Sequence, residues 1–78
     1  MRLIVRSQSG DLLDVDCATS VTMPGVCGTF QIMGDHCHFM SSLCRGGVSY
    51  VSNGSKNDLE LPDGGVVEVL NNDITVLV

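Results

Sequence analysis

The chain has 78 residues, 44% of them apolar, and a formal net charge of −5. That length makes one domain, whose core is marginal without a partner or a staple, and the apolar share is too high for a disordered tail. Arg2, Arg6, Arg45 and Lys56 are the only bases and form no basic patch, which argues against nucleic acid. No apolar run approaches a membrane span, so direct membrane insertion is not expected. The opening MRLIVRSQSGD has too short an apolar run for a signal peptide. A cytosolic setting is expected, with the four cysteines reduced.

In chain order, Arg2 to Arg6 reads as a first strand, and Ser9-Gly10-Asp11 as a turn. Leu12-Leu13 starts a second extended piece. From Val15 to Met23 the residues alternate: Val15, Cys17, Val21 and Met23 share one face with Thr19, and Asp16, Ala18, Ser20 and Thr22 share the other. A period of two argues for a strand with one buried face, with Cys17 in the core. Pro24 lacks an N–H and is expected to end that ladder. Phe30 and Ile32 then alternate against Gln31 and Met33.

The stretch His38 to Leu43 is the best helical candidate, one or two turns at most. Val48 to Val51 reads as strand, and Asn53-Gly54 is a strong hairpin signal. Leu59 and Leu61 alternate on the return strand. Pro62-Asp63-Gly64-Gly65 is a turn. Val66–Leu70 and Ile74–Val78 flank Asn71-Asn72-Asp73 as a terminal hairpin. Short strands between turn signals indicate an all-β fold in a single domain over residues 1–78, a two-sheet antiparallel β-sandwich.

The middle of the chain concentrates the unusual chemistry. Asp35-His36-Cys37-His38 lies near Cys27 and Cys44, and thiolate with imidazole suits zinc. There is no Cys-x-x-Cys pair, and on an extended segment Cys37 points away from His36 and His38. The same opposition separates Cys37 from His36 as a nucleophile pair. Gly25, Gly28 and Gly34 have no lysine and no following helix, so they read as turn formers rather than a phosphate loop. No catalytic residue, metal ligand or cofactor is assigned. Met33, Phe39 and Met40 read as core or, where exposed, as an adaptable patch for a protein partner.

Two groups of residues resemble the epsilon subunit of bacterial F-type ATP synthases. One is Ser20-Val21-Thr22-Met23-Pro24-Gly25, Gly28-Thr29-Phe30-Gln31-Ile32, His36 and Gly46-Gly47-Val48. The other is Gly64-Gly65-Val66-Val67-Glu68-Val69 with Asn72-Asp73-Ile74-Thr75-Val76-Leu77. Gln31 stands where that family usually has Gly, Gly34-Asp35 replaces Pro-Gly, and His38 replaces a second Pro. The family commonly continues past the last strand into two helices, so the resemblance implies its N-terminal sandwich alone, without the inhibitory or ATP-binding functions of those helices.

The resemblance implies a non-catalytic piece of the central stalk that binds the gamma subunit and the c-ring. It would couple ion-driven rotation to ATP synthesis by the alpha and beta subunits, which it serves indirectly. It implies a peripheral place on the cytoplasmic face of the bacterial inner membrane. Carried onto this sequence, Gly25, Val26, Cys27, Gly28, Thr29 and Phe30 would face the c-ring, and His36, Met40 and Ser41 would face gamma. The alternative is a free-standing small β-sandwich that binds metal or ligand through Cys27, His36, Cys37 and His38.

Overall fold

The computed structural model describes residues 1–34 and 38–78. Within them the chain is strand and turn. The strands are β1 (Arg2–Ser7), β2 (Gly10–Val15), β3 (Ala18–Gly25), β4 (Gly28–Met33), β5 (Phe39–Leu43), β6 (Gly46–Ser52), β7 (Ser55–Leu61), β8 (Gly65–Leu70) and β9 (Asp73–Leu77). Asn53 (φ 52°) and Gly54 (φ 79°) make the β6–β7 turn, and Asn71 (φ 51°) and Asn72 (φ 63°) make the β8–β9 turn. Paired left-handed residues match the twist of the flanking strands, and asparagine tolerates that conformation at modest cost.

The strand order is β2-β1-β9-β8-β5-β3-β6-β7, with β4 on the other flank of β3. The described pairings are antiparallel except β1 with β9, which run parallel from Arg2↔Asp73 to Arg6↔Leu77. A parallel pair needs a long crossover. Here the crossover is nearly the whole chain, which brings its first strand beside its last.

The join between β5 and β3 is narrow: one residue pair, Gly25↔Leu43. It divides the sheet into two layers, a front layer β2-β1-β9-β8-β5 and a back layer β4-β3-β6-β7. Leu3, Val5, Leu43, Val67, Val69, Ile74 and Val76 of the front pack on Ala18, Val21, Met23, Ile32, Val48 and Leu61 of the back in one core. The fold is the expected all-β sandwich, curled at one corner.

That corner is built by β3, which pairs with β6 over Ala18–Thr22 and then meets β5 at its far end. The Val26 N–H donates to the Ser42 carbonyl (3.2 Å), and the Cys44 N–H donates to the Pro24 carbonyl (2.7 Å). Pro24 therefore does not end the ladder as expected; β3 runs on to Gly25, with Pro24 opposite Thr29. Proline removes a donor but keeps its acceptor, and the acceptor is what this corner uses.

Two further expectations are corrected. Cys17 is exposed, while Ala18 is buried. The chain breaks between β2 and β3 at Asp16-Cys17, and the β3–β6 register shifts between Ala18 and Ser20. The shift inverts the alternation and puts Ala18 inward three residues before Val21. The helical candidate at His38 to Leu43 is strand β5, paired with β8 from Phe39↔Val69 to Leu43↔Gly65.

The outer edge of the front layer carries exposed ion pairs. The Arg2 guanidinium forks onto Asp14 (Nε–Oδ1 3.2 Å, Nη2–Oδ2 3.0 Å), and Arg6 donates to Asp11 (3.0 Å). The hydrogen bond holds the Asp14 carboxyl below its ordinary range and raises the Arg2 pKa. At the surface such pairs add little stability. They do place charge on an edge strand, which discourages pairing with another chain.

Candidate partner-binding surface

The residues read as facing the c-ring form the β3–β4 hairpin. Val26 and Cys27 are its exposed turn, between paired Gly25 and Gly28. Val26 is 61% exposed. Gly28 has φ 127°, a conformation that favours glycine and lets the strand leave the turn. Thr29 is exposed, but Phe30 is half-buried and faces inward opposite Met23. Its ring packs edge-on against Phe39, centroids 6.0 Å apart at 71°. The pair is in the favoured aromatic geometry and links β4 to β5. The hairpin thus offers Val26, Cys27 and Thr29 outward and uses Phe30 as its anchor.

The residues read as facing gamma divide. Met40 is 64% exposed on the outside of β5. Ser41 is half-buried on the opposite face, across from buried Val67. His36 lies outside the described residues, as do Asp35 and Cys37. Of the alternative ligand set, Cys27 sits at the hairpin tip, while His38 Nε2 lies 3.2 Å from Glu68 Oε2. Among the described residues no cluster of His, Cys, Asp and Glu assembles that could hold a metal. Cys44 directs its thiol toward the Gly25 carbonyl, 3.8 Å away.

Around Met40 the structure gathers residues that the alternation did not flag. Registers place Met40 across from Glu68, Glu68 across from Thr75, and Thr75 across from Ile4. One row along, Ser42 lies across from Val66, Val66 from Leu77, and Leu77 from Arg6. These residues, with Leu70, form the outer face of the front layer. Val66, Leu70 and Leu77 are exposed there with Met40. Ile4 is also on this face, yet buried, and belongs to no part of the central core.

The back layer's outer face differs. Its rows run Gln31–Thr22–Ser49–Asp58 and Thr29–Pro24 with Gly47–Glu60. A third row runs Met33–Ser20–Val51–Lys56. Hydroxyls, an amide, carboxylates and one ammonium cover most of the face, with Met33 exposed on its β4 edge, and Ser49 donates to Asp58 at 2.7 Å. Such a face is at home in water. The front face exposes an apolar group of a kind that marks a contact surface. The signal was present in the sequence. Val66-Val67-Glu68-Val69-Leu70 and Ile74-Thr75-Val76-Leu77-Val78 are nearly continuous apolar runs, which one-sided strands do not need.

Comparison with known proteins gives the same fold and a family. The model of the delta/epsilon-chain β-sandwich domain of ATP synthase matches residues 1–78. The ATP synthase epsilon chain of Desulfosudis oleivorans is 41% identical over 63 residues, covering 81% of this chain and 47% of that one. The epsilon chain of Maridesulfovibrio salexigens is 39% identical over 57 residues, covering 73% of this chain and 39% of that one. The chain therefore spans less than half the length of these relatives.

Solved structures share the architecture at low identity. A chain of the Tetrahymena thermophila mitochondrial ATP synthase central stalk and c-ring matches with a TM-score of 0.80 at 17% identity, covering 99% of this chain and 61% of that chain. A chain of the Euglena gracilis mitochondrial ATP synthase matches with a TM-score of 0.85 at 17% identity, covering 96% and 48%. On the full-length family match, the chain belongs to the delta/epsilon-chain β-sandwich domains of ATP synthase.

Proposed function

We propose that this sandwich is a non-catalytic part of the ATP synthase rotor. It docks on the gamma subunit through the outer face of its front layer and touches the c-ring through the Gly25–Phe30 hairpin. It turns with both and helps couple ion-driven rotation to ATP synthesis by the alpha and beta subunits. This puts it on the cytoplasmic face of a bacterial inner membrane, held there by its partners.

The observation that carries the reading is the contrast between the two outer faces. Met40, Val66, Leu70 and Leu77 leave an apolar group exposed on the front, while the back is hydroxylated and charged apart from the single exposed Met33 at its β4 edge. Burying such a group against a partner gains roughly 25 cal/mol per Å² of apolar area, and a small domain has little core of its own. The front face is thus where association gains most. The hairpin stands at the corner where β3 meets β5, and its turn leaves Val26 and Cys27 exposed.

Coexpression with gamma, alpha and beta tests the reading. The expected result is recovery of the chain in a stable complex with gamma after size-exclusion chromatography. A chain that elutes alone, with gamma, alpha and beta assembling without it, contradicts the reading.

A further inference from the structure

The carboxylate of Glu68 occupies the middle of the apolar front face. Val66 and Leu70 flank it two residues either way along β8, a spacing that keeps all three on one side of the sheet. Met40 of β5 and Thr75 of β9 sit directly across from it. A partner that covers Met40, Val66 and Leu70 therefore covers Glu68 as well. Burying an unpaired carboxylate is costly, whereas a carboxylate hydrogen-bonded to a cation is much less so.

Among the described residues, the group facing Glu68 that can become a cation is His38. Its Nε2 lies 3.2 Å from Glu68 Oε2, with the two side chains 54% and 43% exposed. The other charged groups of this face are engaged elsewhere or are acidic. Arg2 of β1 pairs with Asp14 of β2 and lies near Asp16, Arg6 of β1 pairs with Asp11 of β2, and Asp73 of β9 sits across from Leu70. Among the described residues, no other nearby base is placed to substitute for the imidazole. As a class, imidazoles change charge within about pH 5 to 8.

We propose, resting on the reading of this face as the gamma-docking surface, that His38 and Glu68 make docking pH-dependent: gamma binds more tightly when His38 is protonated. The protonated imidazole donates to Glu68 and turns a carboxylate that must lose water into a neutral, hydrogen-bonded pair. In the free chain the pair is exposed and worth little. Once the partner excludes water, the same pair acts in a lower dielectric, and truncating one member strands the other.

The test measures affinity of the chain for its cognate gamma subunit by calorimetry at about pH 6 and about pH 8. Binding is expected to be roughly tenfold tighter at the lower pH, the scale of interfacial charge pairs. His38→Gln is expected to bind at both pH values as weakly as the unmodified chain does at the higher. Glu68→Gln removes the carboxylate and is expected to lose the tighter binding at the lower pH, because a protonated His38 then has no partner. Equal affinity of the unmodified chain at both pH values overturns the proposal while leaving the docking face intact, and so does a pH dependence that survives His38→Gln. Absence of binding at either pH overturns the docking reading and the proposal with it.

Discussion

At the residue scale, the hairpin depends on space at Gly25. A Cβ added there would sit 2.6 Å from the Gly28 carbonyl oxygen and 2.8 Å from the Phe30 ring. The first contact is backbone, held by the β3–β4 ladder, and cannot step aside. The second is the anchor that packs on Phe39. Gly25→Ala is therefore expected to destabilise the fold by about 1–3 kcal/mol, the range for overpacking a tight site. Urea titration of the two proteins checks this, and equal midpoints would show that the hairpin relaxes freely.

Single residues also show where the sequence misled. Val15, Cys17, Val21 and Met23 are evenly spaced by parity, so Cys17 looked like a core residue. The register shift between Ala18 and Ser20 is a two-strand property, set by how β3 meets β6. Nothing in residues 15–23 alone encodes it. Pro24 misled in a related way. Its missing donor is visible in the sequence, but the Cys44 N–H that uses its acceptor comes from a distant part of the chain.

At the element scale, turns were the most legible feature. Asn53-Gly54 and Asn71-Asn72 close hairpins as expected, because a two-residue turn with left-handed φ selects those residue types locally. β5 was the least legible. In Phe39-Met40-Ser41-Ser42-Leu43 the apolar residues at both ends are four apart, which fits a helical turn as well as a strand. Pairing with β8 over all five residues decides for strand, and that partner lies far along the chain. The same ambiguity hid the separation of Met40 from Ser41, which a strand sends to opposite faces.

The proposed c-ring contact belongs to the β3–β4 hairpin. Its exposed members, Val26, Cys27 and Thr29, carry no part of the core. Thr29→Glu adds charge on an exposed strand position, where substitutions usually move stability by no more than about 0.5 kcal/mol. It is expected to leave the urea midpoint nearly unchanged while lowering ATP-driven ion pumping by reconstituted ATP synthase. Pumping at the unmodified rate by fully assembled variant complex would show that the hairpin is not a working contact.

At the scale of the whole molecule, the all-β class and the single domain were readable because strands, turns and length constrain one another. The pairing of β1 with β9, parallel and end to end in the chain, was not. Nor was the assignment of strands to two layers, which rests on the single crossing at Gly25↔Leu43. That assignment creates the front face, because it places β5, β8 and β9 side by side and lines up Met40, Glu68 and Thr75. The apolar runs of β8 and β9 stand in the sequence, but their sharing one face with Met40 follows only from that assignment.

The central claim is that the two outer faces have different fates, one covered by gamma and one left to water. Substitutions of matched chemistry separate them: Leu77→Lys on the front and Thr22→Lys on the back. Both positions point away from the core, and both variants should keep the fold by circular dichroism. The deciding measurement is the affinity of each for the cognate gamma subunit. Leu77→Lys is expected to lose at least about tenfold, the effect of placing a charge in an apolar contact, while Thr22→Lys binds as the unmodified chain does. Loss of binding by Thr22→Lys with Leu77→Lys unaffected would put gamma on the other face and contradict the account.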